Sequence, residues 1–431
     1  MPCIIVNGSD LARRPNIVII LTDDQGWMDM GYHGSKVLTP NLDRLAKTGV
    51  RLEAHYVCPT CSPTRCALIA GRNPSRYGIL GPIGGRSRKA LPPQTVTLAD
   101  MLHSAGYYTA ISGKWHLGLR PEVGPLQYGF DSTYGYLHGQ IDPYEHLYKY
   151  GDRTWHRQDR FIDETGHVTD LLTKEAIRII ERKSDKPFFL YLPYNVPHYP
   201  RQEPRKWLDL YAGRIQNADR KLYAASLTHM DDGIGQIIAA LERTGKRSNT
   251  LVIYSSDNGG ENGWTAPKNQ YHGRFPPAKV EGNNLPLRGW KSELFEGGIR
   301  VPALVNWPGH LKPGIVTAPL SILDWYPTLA HLIGVKIDPA LKLEGRNIWP
   351  ALTGRASPAL SQRILYWKTG RETAVRVGPW KLIRNRRRRN LGPMLFNVID
   401  DPYEKNNLAP SRPKKVRELD RELRRQQQQD G

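Results

Sequence analysis

Short apolar runs alternate with amphipathic segments along most of this chain, and this alternation limits the possible folds more than any other feature. Residues 16–21 (NIVIIL) are almost all β-branched or leucine, and the turn residues Thr-Asp-Asp-Gln-Gly follow. This pattern predicts a buried strand. A helix is predicted next in LTPNLDRLAKTGV, with Thr39 as its cap, Pro40 in its first turn and Gly49 at its end.

The same scheme repeats further along. Thr97 is predicted to cap a helix that ends at Gly106, and a strand is predicted over 107–112. Strands that alternate with helices predict an α/β sheet covered by helices on both faces. Further helices are predicted at 168–183, 219–244 and 320–333, and further strands at 187–194, 249–259 and 301–307.

The pattern changes near residue 356. Short strands with tight turns are predicted in ILYWK, TAVRVGPWKLIRN and MLFNVI, and a charged helix follows them. We therefore expect an N-terminal extension at 1–13, an α/β domain at 14–355 and a small antiparallel subdomain at 356–431. The stretch 260–290 is rich in Gly, Pro and Asn, which predicts a long surface loop.

The charge balance favours an anionic partner. The 431 residues carry a formal net charge of +20, and the pI is about 9.7. Much of the excess lies at 384–390 and 411–429, where a solvated basic face is the simpler interpretation. A nucleic-acid-binding protein is the rival from another class. The sequence has no recognition motif of such domains, so no specific nucleic acid is expected.

The sequence also bears on the compartment. No apolar run reaches the roughly 18 residues that a membrane helix needs. The N-terminal MPCIIVNGSDLARRP has a four-residue apolar run, which is shorter than the core of a signal peptide. As written, the chain is expected to be cytoplasmic. A start further upstream would make it periplasmic or secreted.

Four polar clusters follow predicted strands, each at the point where its strand ends. Ligands of open α/β sheets bind beyond the carboxyl ends of parallel strands, so we expect the clusters to meet at one edge. A turn or a helix cap would explain a single pair, but four clusters favour a site. The acidic and amide oxygens suit Ca²⁺ or Mg²⁺ better than zinc, and the lysine and histidines would supply charge and proton transfer. The clusters are Asp23-Asp24, Lys114 with His116, His198, and Asp257-Asn258.

Three of the four cysteines lie in CPTCSPTRC, residues 58–66, and the fourth is Cys3. A zinc site would need a second CxxC or a suitably spaced His pair, and the sequence has neither. A redox pair of Cys58 and Cys61 is a better rival, although such motifs usually open a helix in a small domain. The third explanation is that one cysteine serves a reaction.

The third explanation has a specific signature, because Cys61-Ser62-Pro63-Thr64-Arg65 fits C-x-P-x-R. With the other matching segments, it resembles the type I sulfatases, in particular their arylsulfatase B-like branch. The family commonly has Thr-Gly-Arg after the pentapeptide, whereas this chain has Ala-Gly-Arg at 70–72. The resemblance runs from about residue 14 to 410. Its other segments are RPNIVIILTDDQGW, GKWHLG, VPHYP, SSDNGG, LRGWKSELFEGGIRVP and LFNVIDDPYEKNNLA.

The resemblance implies an alkaline-phosphatase-like fold with a large, mostly parallel mixed sheet, and a sulfuric ester hydrolase. It implies that a maturation enzyme converts Cys61 to formylglycine (3-oxoalanine), the nucleophile. Residues 63–71 should be helical, which puts position 61 at a helix N-terminus, a natural anion site. The implied ligands of one Ca²⁺ are Asp23, Asp24, Cys61, Asp257 and Asn258.

The resemblance also implies the other catalytic residues. Arg65 should stabilise the formylglycine hydroxyl. His116 should be the base that frees the sulfate, with Lys114 adjacent to it. His198 and Lys291 should bind the sulfate and the leaving oxygen, and one of them should assist its protonation.

The expected substrate is a sulfated carbohydrate. Residues 128–146 resemble the substrate-side loop of the arylsulfatase B-like branch, and the net charge of +20 would attract a polyanion. A phosphate or phosphonate ester hydrolase on the same fold is the enzymatic alternative. The 260–290 loop contains aromatic and amide groups of the kind that bind sugar rings. These groups belong to Trp264, Tyr271, His272 and Asn283-Asn284.

Overall fold

The computed structural model describes residues 14–265, 270–271, 279–355, 357–385 and 392–431. The predicted extension at 1–13 therefore lies outside the described residues. The strands are β1 (Asn16–Asp23), β2 (Val50–Leu52), β3 (His55–Tyr56), β4 (Tyr108–Lys114), β5 (Ser132–Tyr136), β6 (Trp155–Arg157), β7 (Arg160–Phe161), β8 (Phe188–Pro197), β9 (Thr250–Ser256), β10 (Asn262–Thr265), β11 (Lys279–Glu281), β12 (Arg300–Val301), β13 (Ala303–Asn306), β14 (Gly314–Val316), β15 (Leu320–Ser321), β16 (Ile364–Lys368), β17 (Glu372–Val377), β18 (Trp380–Asn385) and β19 (Met394–Asn397).

Helices occupy much of the remaining chain. The α-helices are α1 (Pro40–Thr48), α2 (Cys61–Ala70), α3 (Leu98–Ser104), α4 (Val168–Ile180), α5 (Arg205–Asp209), α6 (Ala218–Arg243), α7 (Glu296–Ile299), α8 (Trp325–Leu332), α9 (Trp349–Leu352), α10 (Pro358–Ser361) and α11 (Pro413–Gln427). The 3₁₀ helices are Trp27–Asp29, Gly31–His33, Pro74–Tyr77, Pro121–Val123, Pro125–Tyr128, Lys149–Gly151, Arg247–Asn249, Ile322–Asp324 and Pro339–Leu341. In the described part of the chain, no helix combines the length and apolar character needed to cross a bilayer.

The main sheet is mixed and has the strand order β14-β2-β13-β9-β1-β8-β4-β5-β6-β7. Its centre is parallel, because β1 pairs in parallel with both β8 and β9, and β4 pairs in parallel with β8 and β5. The antiparallel pairs lie towards the edges, where β13 pairs with β9 and β6 pairs with β5. Parallel strands at the centre place their carboxyl ends along one edge, as predicted.

The central strand β1 is buried on both faces. Ile17, Ile19 and Leu21 belong to one apolar cluster, which includes residues of α2, α3 and α8. Val18 and Ile20 belong to another, which includes residues of α1, α4 and α6. Alternate side chains of a strand point to opposite faces, so this strand is apolar throughout. The predicted α/β sheet with helices on both faces is confirmed.

A second, antiparallel sheet lies near the C-terminus, with the order β16-β17-β18-β19. One of its faces packs against α11 through residues such as Leu382 and Leu419. The other face packs against Tyr56 and Ile299 of the main body. The predicted strands and terminal helix are confirmed. The basic run at 386–390 lies outside the described residues.

The C-terminal sheet closes over both ends of α2. Before the helix, the Trp367 indole Nε1 donates to the Val57 carbonyl at 2.8 Å. After the helix, the Asn73 amide donates to the Tyr366 carbonyl at 2.8 Å. Asp430 adds an ion pair to Arg76 at 2.8 Å. The position of α2 therefore depends on the last part of the chain.

Two element predictions need correction. The helix predicted at 320–333 begins only at Trp325, because Ser321 and Asp324 form a capping box that ends β15 and opens a 3₁₀ turn. The loop predicted at 260–290 contains two short paired strands, β10 and β11. These two strands pair with each other in the antiparallel sense, which the Gly and Pro content of the stretch did not indicate.

Candidate active site

The polar clusters predicted at strand ends meet at one edge of the sheet. They follow the adjacent parallel strands β9, β1, β8 and β4. Asp23 ends β1, and Asp24 has a left-handed backbone with φ of 71°. Carboxylate oxygens of Asp23 and Asp24 and a ring nitrogen of His198 all lie within 4.8 Å of one another. The carboxyl edge of the sheet is therefore a concentrated polar site.

Cys61 is the first residue of α2 and is 2% exposed. Its Sγ and carboxylate oxygens of Asp23 and Asp257 lie within 4.8 Å of one another. Thr60, at the cap position, places no side-chain hydrogen bond on the first turn, and such a helix N-terminus favours an anion. Burial raises the pKa of the Cys61 thiol, and the nearby Lys114 offsets this only in part. An unmodified thiol at this position is therefore a poor nucleophile at neutral pH.

Cys58, Cys61 and Cys66 are all free and buried. The disulfide between Cys58 and Cys61 that a redox pair would use is therefore not formed in this structure. Burial raises the pKa of Cys58 to about 12, which disfavours its thiolate. The fourth cysteine, Cys3, lies outside the described residues.

Arg65 joins three of the clusters. Its Nη2 donates to Asp257 Oδ2 at 2.7 Å, and its Nη1 donates to the carbonyl oxygen of Lys114 at 3.1 Å. The ammonium of Lys114 donates to Asp23 Oδ2 at 2.5 Å. These side chains are fully buried, so their charges act in a medium of low polarity and hold the carboxylates in fixed positions.

Asp24 is the centre of a second group. The ammonium of Lys291 donates to its Oδ2 at 2.7 Å, and the amide of Asn258 donates to its Oδ1 at 2.8 Å. The Nε2 of His198 lies 3.6 Å from the same Oδ2. Burial by itself would raise the pKa of Asp24, but the positive charge of Lys291 and the hydrogen bonds from Lys291 and Asn258 hold it well below its usual value. Asp24 is therefore ionised at neutral pH.

The oxygen donors fit a hard cation. Asp23 Oδ1 and Asn258 Oδ1 are buried and have no hydrogen-bond partner among the described residues. Unpaired buried oxygens are costly unless something positive satisfies them. Burial, followed by repulsion from Asp23, raises the pKa of Asp257 to about 7, although the charges of Arg65 and Lys114 oppose this shift. Three carboxylates and an amide oxygen match the preferences of Ca²⁺.

The two predicted histidines, His116 and His198, are both neutral, and His116 has a ring nitrogen without a hydrogen-bond partner in the described structure. The Nε2 of His116 donates to the Ile83 carbonyl at 2.7 Å, and its buried Nδ1 has no partner in the described structure. Burial, with Lys114 and Arg65 nearby, lowers the pKa of His116 well below its usual value. It is a neutral imidazole with an unoccupied basic nitrogen. Burial and Lys291 lower the pKa of His198 to about 3, so this ring is neutral as well.

Sequence reasoning missed two contributors to the site. Glu261 lies 3.7 Å from the Lys291 ammonium, so Lys291 is shared between this carboxylate and that of Asp24. Ile83 anchors a loop beside the nucleophile, because its N–H donates to Ser62 Oγ at 3.0 Å and its carbonyl accepts from His116. Neither residue belongs to a sequence motif, because Glu261 is a single acidic residue and Ile83 acts through its backbone groups. The position of Glu261 directly after the SSDNGG segment is the one signal that could have indicated it.

Two of the residues in 260–290 that were expected to bind sugar rings, Tyr271 and Asn284, are buried and hydrogen-bonded within the protein. Asn284 is fully buried, and its amide donates to the carbonyl of Gly260 and that of Gly289. Tyr271 is 6% exposed, and its hydroxyl accepts from Gln140 at 2.7 Å. Both therefore support the loop. The Trp264 side chain and His272 lie outside the described residues.

Comparisons with known proteins agree with this geometry. The family model described as "Sulfatase" matches residues 15–335. The chain is 34% identical to arylsulfatase J of Mus musculus, over 96% of this chain and 76% of that protein. It is also 34% identical to N-acetylgalactosamine-6-sulfatase of Mus musculus, over 86% of this chain and 72% of that protein.

A solved structure is similar throughout. The crystal structure of Ps i-CgsB in complex with k-i-k-neocarrahexaose has a TM-score of 0.85 and 32% identity to this chain, and the match covers 97% of this chain and 94% of that one. The fold, the polar edge of the sheet and the sequence relationships agree. The chain belongs to the sulfatase family and is a sulfuric ester hydrolase.

Proposed function

We propose that this sulfatase removes sulfate from a sulfated carbohydrate through a formylglycine made from Cys61, with one Ca²⁺ bound beside it. The observation that carries the proposal is the position of Cys61 at the start of α2. Its Sγ lies within 4.8 Å of carboxylate oxygens of Asp23 and Asp257. A nucleophile there is next to both a cation site and a helix N-terminus, which suits attack on a sulfate group.

The first step uses one hydroxyl of the hydrated aldehyde. Its oxygen attacks sulfur and gives up its proton, the bond between sulfur and the ester oxygen breaks, and the ester oxygen takes up a proton and leaves as the sugar hydroxyl. Lys291 is positively charged and faces the site from the Asp24 side, so it binds sulfate oxygens. An anion bound nearby would raise the pKa of His198, whose imidazolium could then protonate the leaving oxygen.

The second step uses the other hydroxyl. The free Nδ1 of His116 accepts its proton, the aldehyde carbon–oxygen double bond forms again, and sulfate leaves with the other oxygen. Arg65, held by Asp257, supports the hydroxyl group in position. Lys114 adds positive charge next to it. A serine in the same place would lack the second hydroxyl and would retain the sulfate.

Asp23, Asp24, Asp257, Asn258 and the modified residue 61 are the proposed ligands of the calcium ion. When bound, Ca²⁺ would neutralise developing charge on sulfate oxygens. The unpaired oxygens of Asp23 and Asn258 support this assignment.

The carbohydrate substrate is supported by the relatives. One is named for a sulfated amino sugar, and one solved structure contains a neocarrahexaose. The net charge of +20 adds attraction for a polyanion.

We further propose a formylglycine-generating maturation enzyme as a partner, and a division of the chain into a catalytic unit at 14–355 and a C-terminal unit at 356–431.

The proposal is tested by mass spectrometry of the peptide that spans Cys61, together with assays of released sulfate. We expect the mass of formylglycine at position 61 and sulfate release from at least one sulfated sugar. Aryl sulfate and aryl phosphate are compared in parallel, since faster phosphate release would support the phosphate ester alternative. Full activity with an unmodified Cys61 would rule out the formylglycine mechanism.

A further inference from the structure

A half-buried lysine that has no carboxylate partner lies close to the active site. Lys149 begins the 3₁₀ helix Lys149–Gly151. Among the residues that the structure describes, it forms no ion pair, and the nearby Asp152 is bound by Arg86 at 2.9 Å. Gln270 accepts a hydrogen bond from this turn. The positive charge of Lys149 is therefore not neutralised by a carboxylate of the described residues.

Ring contacts connect the Lys149 turn to the catalytic histidine. Tyr148 stacks on His138 with a centroid distance of 4.3 Å and an angle of 20° between the rings. Gly139 follows His138 and packs so tightly on the His116 ring that a Cβ atom there would lie 2.6 Å from it. The segment that ends at Lys149 thus forms part of the wall around His116.

The electrostatics agree with this placement. Burial lowers the pKa of Lys149, and the positive charge of Lys291 lowers it further. Two ammonium groups that repel one another are unfavourable in the free enzyme. A negatively charged ligand between or beside them would relieve that repulsion.

The next residue adds an exposed aromatic ring. Tyr150 is 65% exposed and has a left-handed backbone with φ of 60°, and its N–H donates to the Gln270 carbonyl at 2.9 Å. For a bulky residue this conformation is unfavourable, and such strain is concentrated at ligand sites. A flat, exposed ring beside a cation suits a charged sugar.

We propose that Lys149 and Tyr150 form a subsite for a substrate sugar that carries a second anionic group besides the sulfate to be removed. Lys149 pairs with that group, which is a carboxylate or another sulfate ester, and Tyr150 packs against the sugar ring. The inference rests on the proposed carbohydrate sulfatase function. It adds that the preferred substrate is doubly charged near the scissile bond.

The test compares matched substrates on the whole enzyme. One pair is a sulfated disaccharide with a uronate and its carboxyl-reduced form, and the other pair is a disulfated and a monosulfated sugar. We expect Lys149→Ala to raise KM about tenfold for the doubly charged member of one pair, the loss of one charge-assisted contact. It should change kcat by less than about twofold. It should also change KM for the singly charged sugars and for nitrophenyl sulfate by less than about twofold. A change in the uronate pair identifies the second group as a carboxylate, and a change in the disulfated pair identifies it as a sulfate.

Matched variants control for general effects. Lys149→Arg should restore most of the affinity, and Lys183→Ala, which removes an exposed positive charge elsewhere, should change nothing. Tyr150→Ala should raise KM for the sugars, and Tyr150→Phe should not. The desulfated product that keeps its second charge should inhibit the wild type about tenfold better than Lys149→Ala.

The outcomes separate this inference from the function on which it depends. If the wild type desulfates sugars but Lys149→Ala affects both members of each pair equally, or neither, the subsite is wrong and the carbohydrate function stands. If the wild type hydrolyses nitrophenyl sulfate and no sulfated sugar, the carbohydrate function is wrong and the subsite is rejected with it.

Discussion

At the scale of single residues, Cys61 tests the mechanism most directly. We expect Cys61→Ala to reduce sulfate release by at least about 10⁴-fold, the order of loss when a covalent nucleophile is removed. Cys61→Ser should release one equivalent of alcohol and retain the sulfate, because serine has a single hydroxyl. A burst assay combined with intact-protein mass spectrometry would detect the added sulfate.

The neighbouring cysteine provides the control for Cys61. Cys58→Ala should leave turnover largely intact, because Cys58 is buried and is not part of the proposed site. Repeated turnover by Cys61→Ser at a rate near that of the wild type would contradict the need for a second hydroxyl.

Asn258 tests the cation site without disturbing the buried ion pair between Arg65 and Asp257. Asn258→Ala removes one proposed ligand oxygen, so we expect weaker calcium binding by at least about tenfold and a parallel fall in activity. Calcium content by elemental analysis and the shift in Tm on adding a chelator measure the binding.

A surface substitution serves as the control for calcium binding. Asp159→Ala removes an exposed carboxylate elsewhere and should leave calcium binding unchanged. Stoichiometric zinc in fully active protein, or a chelator that changes neither Tm nor activity, would show that the assignment to calcium is wrong.

At the scale of elements, one histidine of α6 links three parts of the fold. His229 Nε2 donates to Asp170 of α4 at 2.9 Å, and its Nδ1 donates to Glu203 at 2.7 Å. The indole of Trp207, in α5, stacks on the ring at 4.9 Å. Burial would lower the pKa of His229, but the two carboxylates outweigh it and raise the pKa to about 9. The ring is therefore an imidazolium at neutral pH.

This pKa predicts how stability depends on pH. Because the folded pKa is raised, the folded state binds the proton more tightly than the unfolded chain does. The added stability, about 3 kcal/mol, is complete below pH 6.5 and is lost as pH rises towards 9. His229→Gln should remove this part of the slope when urea unfolding is measured at several pH values.

Another histidine lies beside the His229 ring, so the pH dependence of stability in His229→Gln is compared with that of a matched variant at an exposed histidine. His167 lies 4.7 Å away between ring centroids, and burial, which outweighs the opposing charge of Glu203, lowers its pKa, so it stays neutral in this range. His331→Gln, at an exposed position in α8, should keep the wild-type slope. An unchanged slope in His229→Gln would contradict the assigned imidazolium.

Element predictions from the sequence succeeded where local signals were strong. The apolar run of β1 and the cap that Thr97 forms on α3 are both present as predicted. The helix predicted at 320–333 was too long, since the Ser321–Asp324 box was not recognised as a start signal. Apolar periodicity continues through that box and hides the boundary.

At the scale of the whole molecule, a buried ion cluster joins the C-terminal sheet to the main body. Lys381 of β18 lies 2.9 Å from Glu296 of α7 and 2.9 Å from Glu404, and all three are buried. Burial, with repulsion from Glu296 opposing the charge of Lys381, raises the pKa of Glu404 to about 7. Removing the lysine would leave Glu404 without this ion pair and would leave Glu296 with the more distant Arg300, at 3.7 Å.

We therefore expect Lys381→Met to lower the free energy of unfolding by about 3 kcal/mol or more. Urea unfolding followed by tryptophan fluorescence measures the loss. Lys405→Met, at an exposed position, is the matched control and should change stability by less than about 0.5 kcal/mol. Equal stabilities of the two variants would show that the cluster does not hold the sheet in place.

The sequence predicted that the polar clusters would lie together, because residue types that suit metal and sulfate chemistry follow several of its strands. Asp23, Asp24, His198 and Cys61 are close together, as the clusters implied. Glu261 was not found, since it is a single charged residue in a loop. Its significance comes from Lys291 and Asp24, which only the folded chain brings close to it.

The closure of the C-terminal sheet over α2 has a consequence for the order of events during synthesis. Cys61 is 2% exposed in the folded chain, in which Trp367 is bonded to Val57, so a processing enzyme would have little access to it in the finished protein. Trp367 is made about 300 residues after Cys61. At about 5–20 residues per second, translation leaves position 61 uncovered for tens of seconds. The rate of elongation, as well as the affinity of the processing enzyme, would then limit the yield of active protein.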